Sequence, residues 1–208
     1  MTGERASMNT DKIGVVVLAG GGSARFGRPK QLLQFEGGSF LRRAVNAALL
    51  SDCGKVVVVL GKDPGWSIAE IKSLPVEIVI NKDWQDGISS SIKSGLNRLL
   101  ENEPDLSAVV FMLCDQPFVN GDTISALVEG SRNTRKPIVA CEYEDIPGVP
   151  ALFSRDVFTE LMALEGDIGA RQMIRRQPAD VYAIKRPEVL LDIDRPEDYE
   201  KLLTLTQQ

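Results

Sequence analysis

Four short runs, IGVVVLAG (13–20), KVVVVLG (55–61), VEIVIN (76–81) and AVVFMLCD (108–115), set the strongest limit on what this chain can fold into. Each is strand-sized and β-branched, and none alternates apolar with polar residues. A strand covered on both faces reads this way, and parallel sheets are covered on both faces. Between the runs, SFLRRAVNAALL (39–50) brings Phe40, Ala44, Ala47 and Leu50 near one face of a helix, and ISSSIKSGLNRLLEN (88–102) does the same with Ile88, Ile92, Leu96 and Leu99. Strand and helix alternate to about residue 131. The pattern predicts an α/β, three-layer, Rossmann-like fold: a mostly parallel sheet with helices on both faces.

Beyond Lys136 the rhythm loosens. PIVACEY and GVPALFS read as strands joined by a turn, DVFTELMAL and IGARQMIRR as short helices, and ADVYAIK as a further strand. RPEDYEKLLTL, with Pro196 at its start and acids in its first turn, reads as a closing helix. No linker or repeat interrupts residues 13–208, so one domain is expected there, behind a disordered tail over 1–12, with the irregular second half supplying a specific pocket.

Composition removes several function classes. A net charge of −5 without a long basic run argues against nucleic-acid binding. No apolar stretch approaches the roughly 20 residues of a membrane helix, and residues 1–12 lack the apolar region of a secretory signal. Cys53, Cys114 and Cys141 are odd in number and widely spaced, which fits reduced thiols in a cytoplasmic protein. The chain has no histidine, so histidine-based triads and histidine-ligated metals are excluded. Carboxylates, amides and hydroxyls remain as metal ligands, and these hard oxygens suit Mg²⁺.

The first strand run empties into LAGGGSARFGRPK (18–30). Glycines bring bare backbone N–H groups close to an anion, so the turn reads as a phosphate cradle with Arg25 and Lys30 as its cations. It is not a P-loop, because Arg28 and Pro29 stand where Lys and Ser/Thr are needed, and it lacks the dinucleotide GxGxxG because residue 25 is arginine. Asp115 ends the fourth run at the sheet edge where open α/β sheets bind ligands, which makes it a candidate Mg²⁺ ligand. A second carboxylate would come from LLDID, where Asp192 and Asp194 share a strand face. Asn81 follows the third run, and Ser89 to Ser91 open a helix whose N-terminus favours an anion.

These residues carry a resemblance. LAGGGSARFGRPK resembles the LAxGxSxRxGxxK signature of nucleotidyltransferases that join an NTP to a phosphorylated acceptor. NKDWQDGISSSIKSGL, Asp115–Gln116–Pro117, GDIGAR (166–171) and DIDRPEDY (192–199) resemble, in the same order, the NxxWxxGxxxSxxxGL, DQP, GDxGAR and DIDTPEDY motifs of molybdenum cofactor cytidylyltransferases and their MobA-like relatives. The chain departs from that pattern with Gly20–Gly21 in place of AAG, Gly148–Val149–Pro150 in place of GHP, and Arg195 in place of Thr.

The resemblance implies a GT-A-type nucleotidyltransferase fold with nucleotide contacts from Leu18, Ala19, Gly20, Gly21, Gly22, Ser23, Asn81, Ser89, Ser91 and Gly95. Catalytic roles fall to Arg25, Lys30 and Asp115, and metal ligation to Asp115 with Asp192 favoured over Asp194. Acceptor contacts fall to Trp84, Gln116, Gly148, Pro150, Asp167 and Arg171, with Trp84 offering a stacking face. The implied reaction transfers the NMP of an NTP, CTP first and GTP or ATP as alternatives, to the phosphate of a molybdopterin-type acceptor. A phosphate monoester is already anionic near neutral pH, its second pKa being about 6, so no general base is required and the lack of histidine fits. A sugar phosphate as acceptor, or a non-catalytic carrier of the cofactor, are the other readings; a molybdoenzyme or its chaperone would be the protein partner.

Overall fold

The computed structural model describes residues 12–21, 29–186, 193 and 195–205. In chain order the strands are β1 (Ile13–Ala19), β2 (Gln34–Phe35), β3 (Gly38–Ser39), β4 (Val56–Leu60), β5 (Glu77–Ile80), β6 (Ala108–Leu113), β7 (Ile138–Tyr143), β8 (Ile146–Ser154) and β9 (Val181–Lys185). The helices are α1 (Phe40–Leu49), α2 (Gly65–Ile71), α3 (Ile88–Asn102), α4 (Gly121–Thr134), α5 (Phe158–Met162), α6 (Ala170–Arg176) and α7 (Pro196–Leu205).

Among the described residues, seven strands form one sheet in the order β5-β4-β1-β6-β8-β7-β9. The four runs singled out in the sequence are its parallel half: β1 pairs in parallel with β4 and β6, and β4 with β5. β8 enters antiparallel to both β6 and β7, and β9 runs parallel to β7. The sheet is therefore mostly parallel, as expected.

Residue parity explains the non-alternating strands. Val15 and Val17 of β1 face one core with Val58 and Leu60, covered by α1, α2 and α4 through Leu41, Val45, Ile71, Ile124 and Leu127. Val16 and Leu18 face the other with Val57 and Val59, covered by α3, α5 and α6 through Ile92, Leu96, Leu99, Leu161 and Ile174. Fully burying a Val, Leu or Ile side chain stabilises by about 1.5–3 kcal/mol, and both faces of these strands gain it.

Two elements were absent from the sequence reading. Helix α2 is one; the other is the small β2–β3 hairpin, turned by Glu36 and Gly37 with φ of 44° and 82°. The hairpin anchors a third cluster of Leu33, Phe35, Phe40, Ile193 and Leu202, in which Phe35 meets Phe40 and Phe118 edge-on. It sits just after Lys30 and holds the residues that follow the glycine run against α1 and α7.

Candidate active site

Parallel strands all deliver their carboxyl ends to one edge. There β1 gives way to Gly20 and Gly21, β4 to Gly61, β5 to Asn81 and β6 to Cys114 and Asp115. A cleft of about 610 Å³ opens on that edge. Its wall includes Leu18, Ala19, Gly20 and Gly21 from the first turn, Lys30 and Gln31 beyond it, and Ser91 from α3. Trp84, Gly87 and Ile88 approach from the segment entering α3, Asp115 from the end of β6, and Asp167 from the GDIGAR loop.

Lys30 and Asp115 form an ion pair here, with only 19% and 10% of their side chains exposed. Lys30 opens a single 3-10 turn, Lys30–Leu32, fixed by the Leu33 N–H donating to Lys30 O and by Leu33 itself in the third cluster. The Asp115 carboxylate spends Oδ2 on Lys30, while Oδ1 is buried and accepts no hydrogen bond among the described residues. A buried carboxylate oxygen without a donor is costly unless something else binds it. That chemistry fits a hard divalent cation. The backbone brings a second segment to the same place: the Ile193 N–H donates to Asp115 O at 3.2 Å. Asp192 and Asp194, which flank Ile193 in sequence, lie outside the described residues, as do Gly22, Ser23 and Arg25 of the glycine run. Burial also pushes the neighbouring Cys114 thiol up, so it stays protonated.

Three of the expected nucleotide contacts stand elsewhere. Asn81 is 3% exposed and does not line the cleft; its amide is bonded to Ser90, Ser91 and the Asp83 N–H. Ser89 lines a different hollow beside α3, where its N–H meets Gly166 O. Gly95 packs beneath the site, because a Cβ there would fall 2.4 Å from Val16 Cγ1 and 3.1 Å from Val59 Cγ2. Its role is to let α3 press on the sheet.

The expected acceptor contacts divide similarly. A second pocket of about 270 Å³ adjoins the cleft, shares Leu18, Ile88, Leu113 and Asp167 with it, and adds Ile92, Val149, Arg171, Gln172 and Arg175. Asp167 thus lies at the junction of the two pockets, and Arg171 lines the second. Gly148 and Pro150 are buried in β8 and line neither; Val149 between them does. Gln116, 2% exposed, works from behind by donating Nε2–H to Val149 O at 2.9 Å.

Two glycines with no structural role assigned from the sequence hold the loops in place. A Cβ on Gly61 would lie 2.2 Å from Gly20 O, so the end of β4 is pressed against the first turn. Gly87, at φ 96°, has its missing Cβ 2.3 Å from Gly166 C and O, which clamps the Trp84 segment onto the GDIGAR loop. Gly61 closes the KVVVVLG run and Gly87 lies inside a motif, so both were visible as letters; only the fold shows what presses on them.

Residues 15–181 match the model of the MobA-like NTP transferase domain. The chain belongs to that family. As a member it is a nucleotidyltransferase, related to the molybdenum cofactor guanylyltransferases. It is 30% identical to nicotine blue oxidoreductase of Paenarthrobacter nicotinovorans over 90% of this chain and 95% of that protein. It is 31% identical to a probable molybdenum cofactor guanylyltransferase of Bacillus anthracis over 60% of this chain and 59% of that one. Among solved structures it resembles Rv0371c of Mycobacterium tuberculosis, with 31% identity, a TM-score of 0.81, and coverage of 93% of this chain and 98% of that one. A manganese complex of Rv0371c matches with a TM-score of 0.77 at 30% identity, again over 93% and 98% of the two chains. The sheet is that of GT-A-like nucleotidyltransferases. No helix among the described residues is long and apolar enough to cross a membrane.

Proposed function

We propose that this MobA-like transferase moves the CMP of CTP onto the phosphate of a molybdopterin-type acceptor, releasing pyrophosphate with Mg²⁺ as the divalent cation. The carrying observation is the Lys30–Asp115 pair beside the glycine turn, with Asp115 Oδ1 left without a donor. The nucleotide fits the larger cleft, its phosphates toward Gly20, Gly21 and Lys30. The acceptor fits the adjoining pocket, where Ile88, Ile92, Leu113 and Val149 offer apolar contact to a flat ring and Arg171 and Arg175 meet its negative charge. Asp115, with Asp192 as partner, would hold the metal, which when bound supplies charge neutralisation on the triphosphate.

The acceptor's phosphate oxygen forms a bond to the α-phosphorus as the bond from that phosphorus to the β-bridging oxygen breaks, and the electron pair leaves on pyrophosphate. The chain's share is to bring two anions together in line. Two unit charges about 4 Å apart interact by roughly 4 kcal/mol at an effective dielectric near 20, so each cation placed between them offsets a term of that size. Lys30 is held where such a term counts, and the helix N-terminus of α3, whose Ile88 and Ser91 line the same cleft, adds partial positive charge.

The similarity to nicotine blue oxidoreductase across nearly both chains favours a second reading, in which the same two pockets serve an oxidation–reduction reaction. One assay separates the readings: purified protein with Mg²⁺, molybdopterin and CTP, GTP or ATP in parallel, read as pyrophosphate release. Release with CTP supports the proposal, and release with GTP alone changes the nucleotide. Release with none, together with turnover of a redox dye, overturns it.

A further inference from the structure

We infer that Asn81 is a positioning residue that turns Ser91 into a hydrogen-bond donor for the bound nucleotide; this rests on the nucleotide-binding reading of the cleft. Three observations fix the direction of the bonds. The Asp83 N–H donates to Asn81 Oδ1 at 3.0 Å, which identifies the other end of the amide as its NH₂ group. That NH₂ donates to Ser90 Oγ at 2.8 Å and to Ser91 Oγ at 3.0 Å. Ser90 passes its own proton to Gly87 O at 2.7 Å. Ser91, in contrast, accepts from Asn81 and has no acceptor for its O–H among the described residues.

That O–H is at the cleft. Ser91 is 6% exposed yet lines the wall, and its Oγ lies 3.1 Å from where a Cβ on Gly20 would stand, so the hydroxyl is packed against the glycine turn. A nearly buried hydroxyl that already accepts one bond keeps its proton unspent, and an acceptor on the ligand that fills the cleft would take it. A base carbonyl, a ribose oxygen and a phosphate oxygen all meet that demand. Asn81 itself is anchored by its N–H donating to Leu60 O at 2.8 Å, which ties the Ser91 hydroxyl to the ends of β4 and β5.

Asn81→Asp keeps the shape and reverses the bonds, because the carboxylate at position 81 accepts from both serines and Ser91 spends its proton there. The test measures Kd for CTP and GTP with Mg²⁺ by calorimetry, on wild type, Asn81→Asp, Ser91→Ala, Ser91→Cys and the Asn81→Asp/Ser91→Ala double variant, with thermal unfolding confirming that each is folded. Losing one such bond is expected to weaken binding about tenfold. Ser91→Ala and Asn81→Asp should each lose about that factor, and the double variant should lose no more than either. The thiol of Ser91→Cys, a weak donor, should lose most of it, which keeps the donor assignment testable even where Asn81→Asp fails to fold. A loss shared by both nucleotides assigns the acceptor atom to ribose or phosphate, and a loss confined to one assigns it to the base. Additive losses in the double variant mean that the new charge acts directly on the triphosphate, and unchanged affinity in Ser91→Ala or Ser91→Cys means that the hydroxyl donates nothing; either result overturns the inference. Wild type that binds neither nucleotide overturns the parent reading and this one with it, a result distinct from wild type that binds and variants that do not differ.

Discussion

Lys30, on the short turn that follows the glycine run, is ion-paired with Asp115, the first residue of the DQP motif just beyond β6, and most of the pair's surface is covered. Asp115→Ala should abolish pyrophosphate release. Lys30→Ala should slow it by about 10²–10³, the range found when one group that stabilises developing charge is removed. Each single change also removes one partner of a poorly solvated pair and should cost about 3–5 kcal/mol in urea denaturation. Lys30→Met combined with Asp115→Asn removes both charges and should recover most of that stability while remaining inactive. A double variant that stays unstable would show the pair to be structural first.

The Ile193 N–H on Asp115 O sets Ile193 of the DIDRPEDY motif beside the candidate metal carboxylate, and its side chain, fully buried in the third cluster, pins it there. Asp192→Asn should raise the Mg²⁺ concentration needed for half-maximal rate at least about tenfold, a loss of roughly 1.4 kcal/mol, whereas Asp194→Asn should leave it within about twofold. Mg²⁺ and Mn²⁺ titrations of pyrophosphate release read this directly. The reverse ranking would transfer the ligand role to Asp194.

The parallel half of the sheet was legible because burial on both faces leaves β-branched runs without alternation, and β1, β4, β5 and β6 fall on those runs. That Lys30 and Asp115 stand at one edge was legible because each follows a strand whose carboxyl end must reach it; the ion pair between them was not. Asn81, Ser89 and Gly95 show the limit. A motif letter reports that a position matters, but whether its side chain meets ligand, a helix end or Val16 depends on packing that only the folded chain supplies. Helix α2 and the β2–β3 hairpin were missed because each is short, and GWSIAEI carries too few turns to show a period.

Gly21 and Gly61 should respond oppositely to alanine. A Cβ on Gly21 meets nothing within 4 Å, whereas one on Gly61 collides with Gly20 O at 2.2 Å. Gly61→Ala should therefore lose about 1–3 kcal/mol of stability through backbone displacement and disturb the turn as well. Gly21→Ala should unfold at the wild-type denaturant midpoint yet bind CTP at least about tenfold more weakly, since the added methyl takes space that close backbone approach reserves for phosphate. Paired urea titrations and calorimetry check both. Wild-type affinity in Gly21→Ala would remove the glycine turn from the nucleotide site.

The Cys114 thiol gives the fold a dependence on alkaline pH. Burial is the main cause that raises its pKa, with the Asp115 charge adding to it. An unfolded chain holds a thiol near its ordinary value of about 8.5. Below that value folded and unfolded forms both keep the proton, and the thiol's contribution to stability does not vary. Above it the unfolded chain releases the proton and the folded chain does not, so rising pH favours unfolding, by up to about 1.4 kcal/mol per pH unit. Cys53, half-buried and raised in the same direction, adds a smaller part. Urea denaturation from about pH 7 to about pH 10 should show stability falling above the thiol range, and Cys114→Ala should flatten that fall after its own pH-independent loss is subtracted. A variant with an unchanged slope would mean that the thiol next to Asp115 ionises in the folded protein as freely as in the unfolded one.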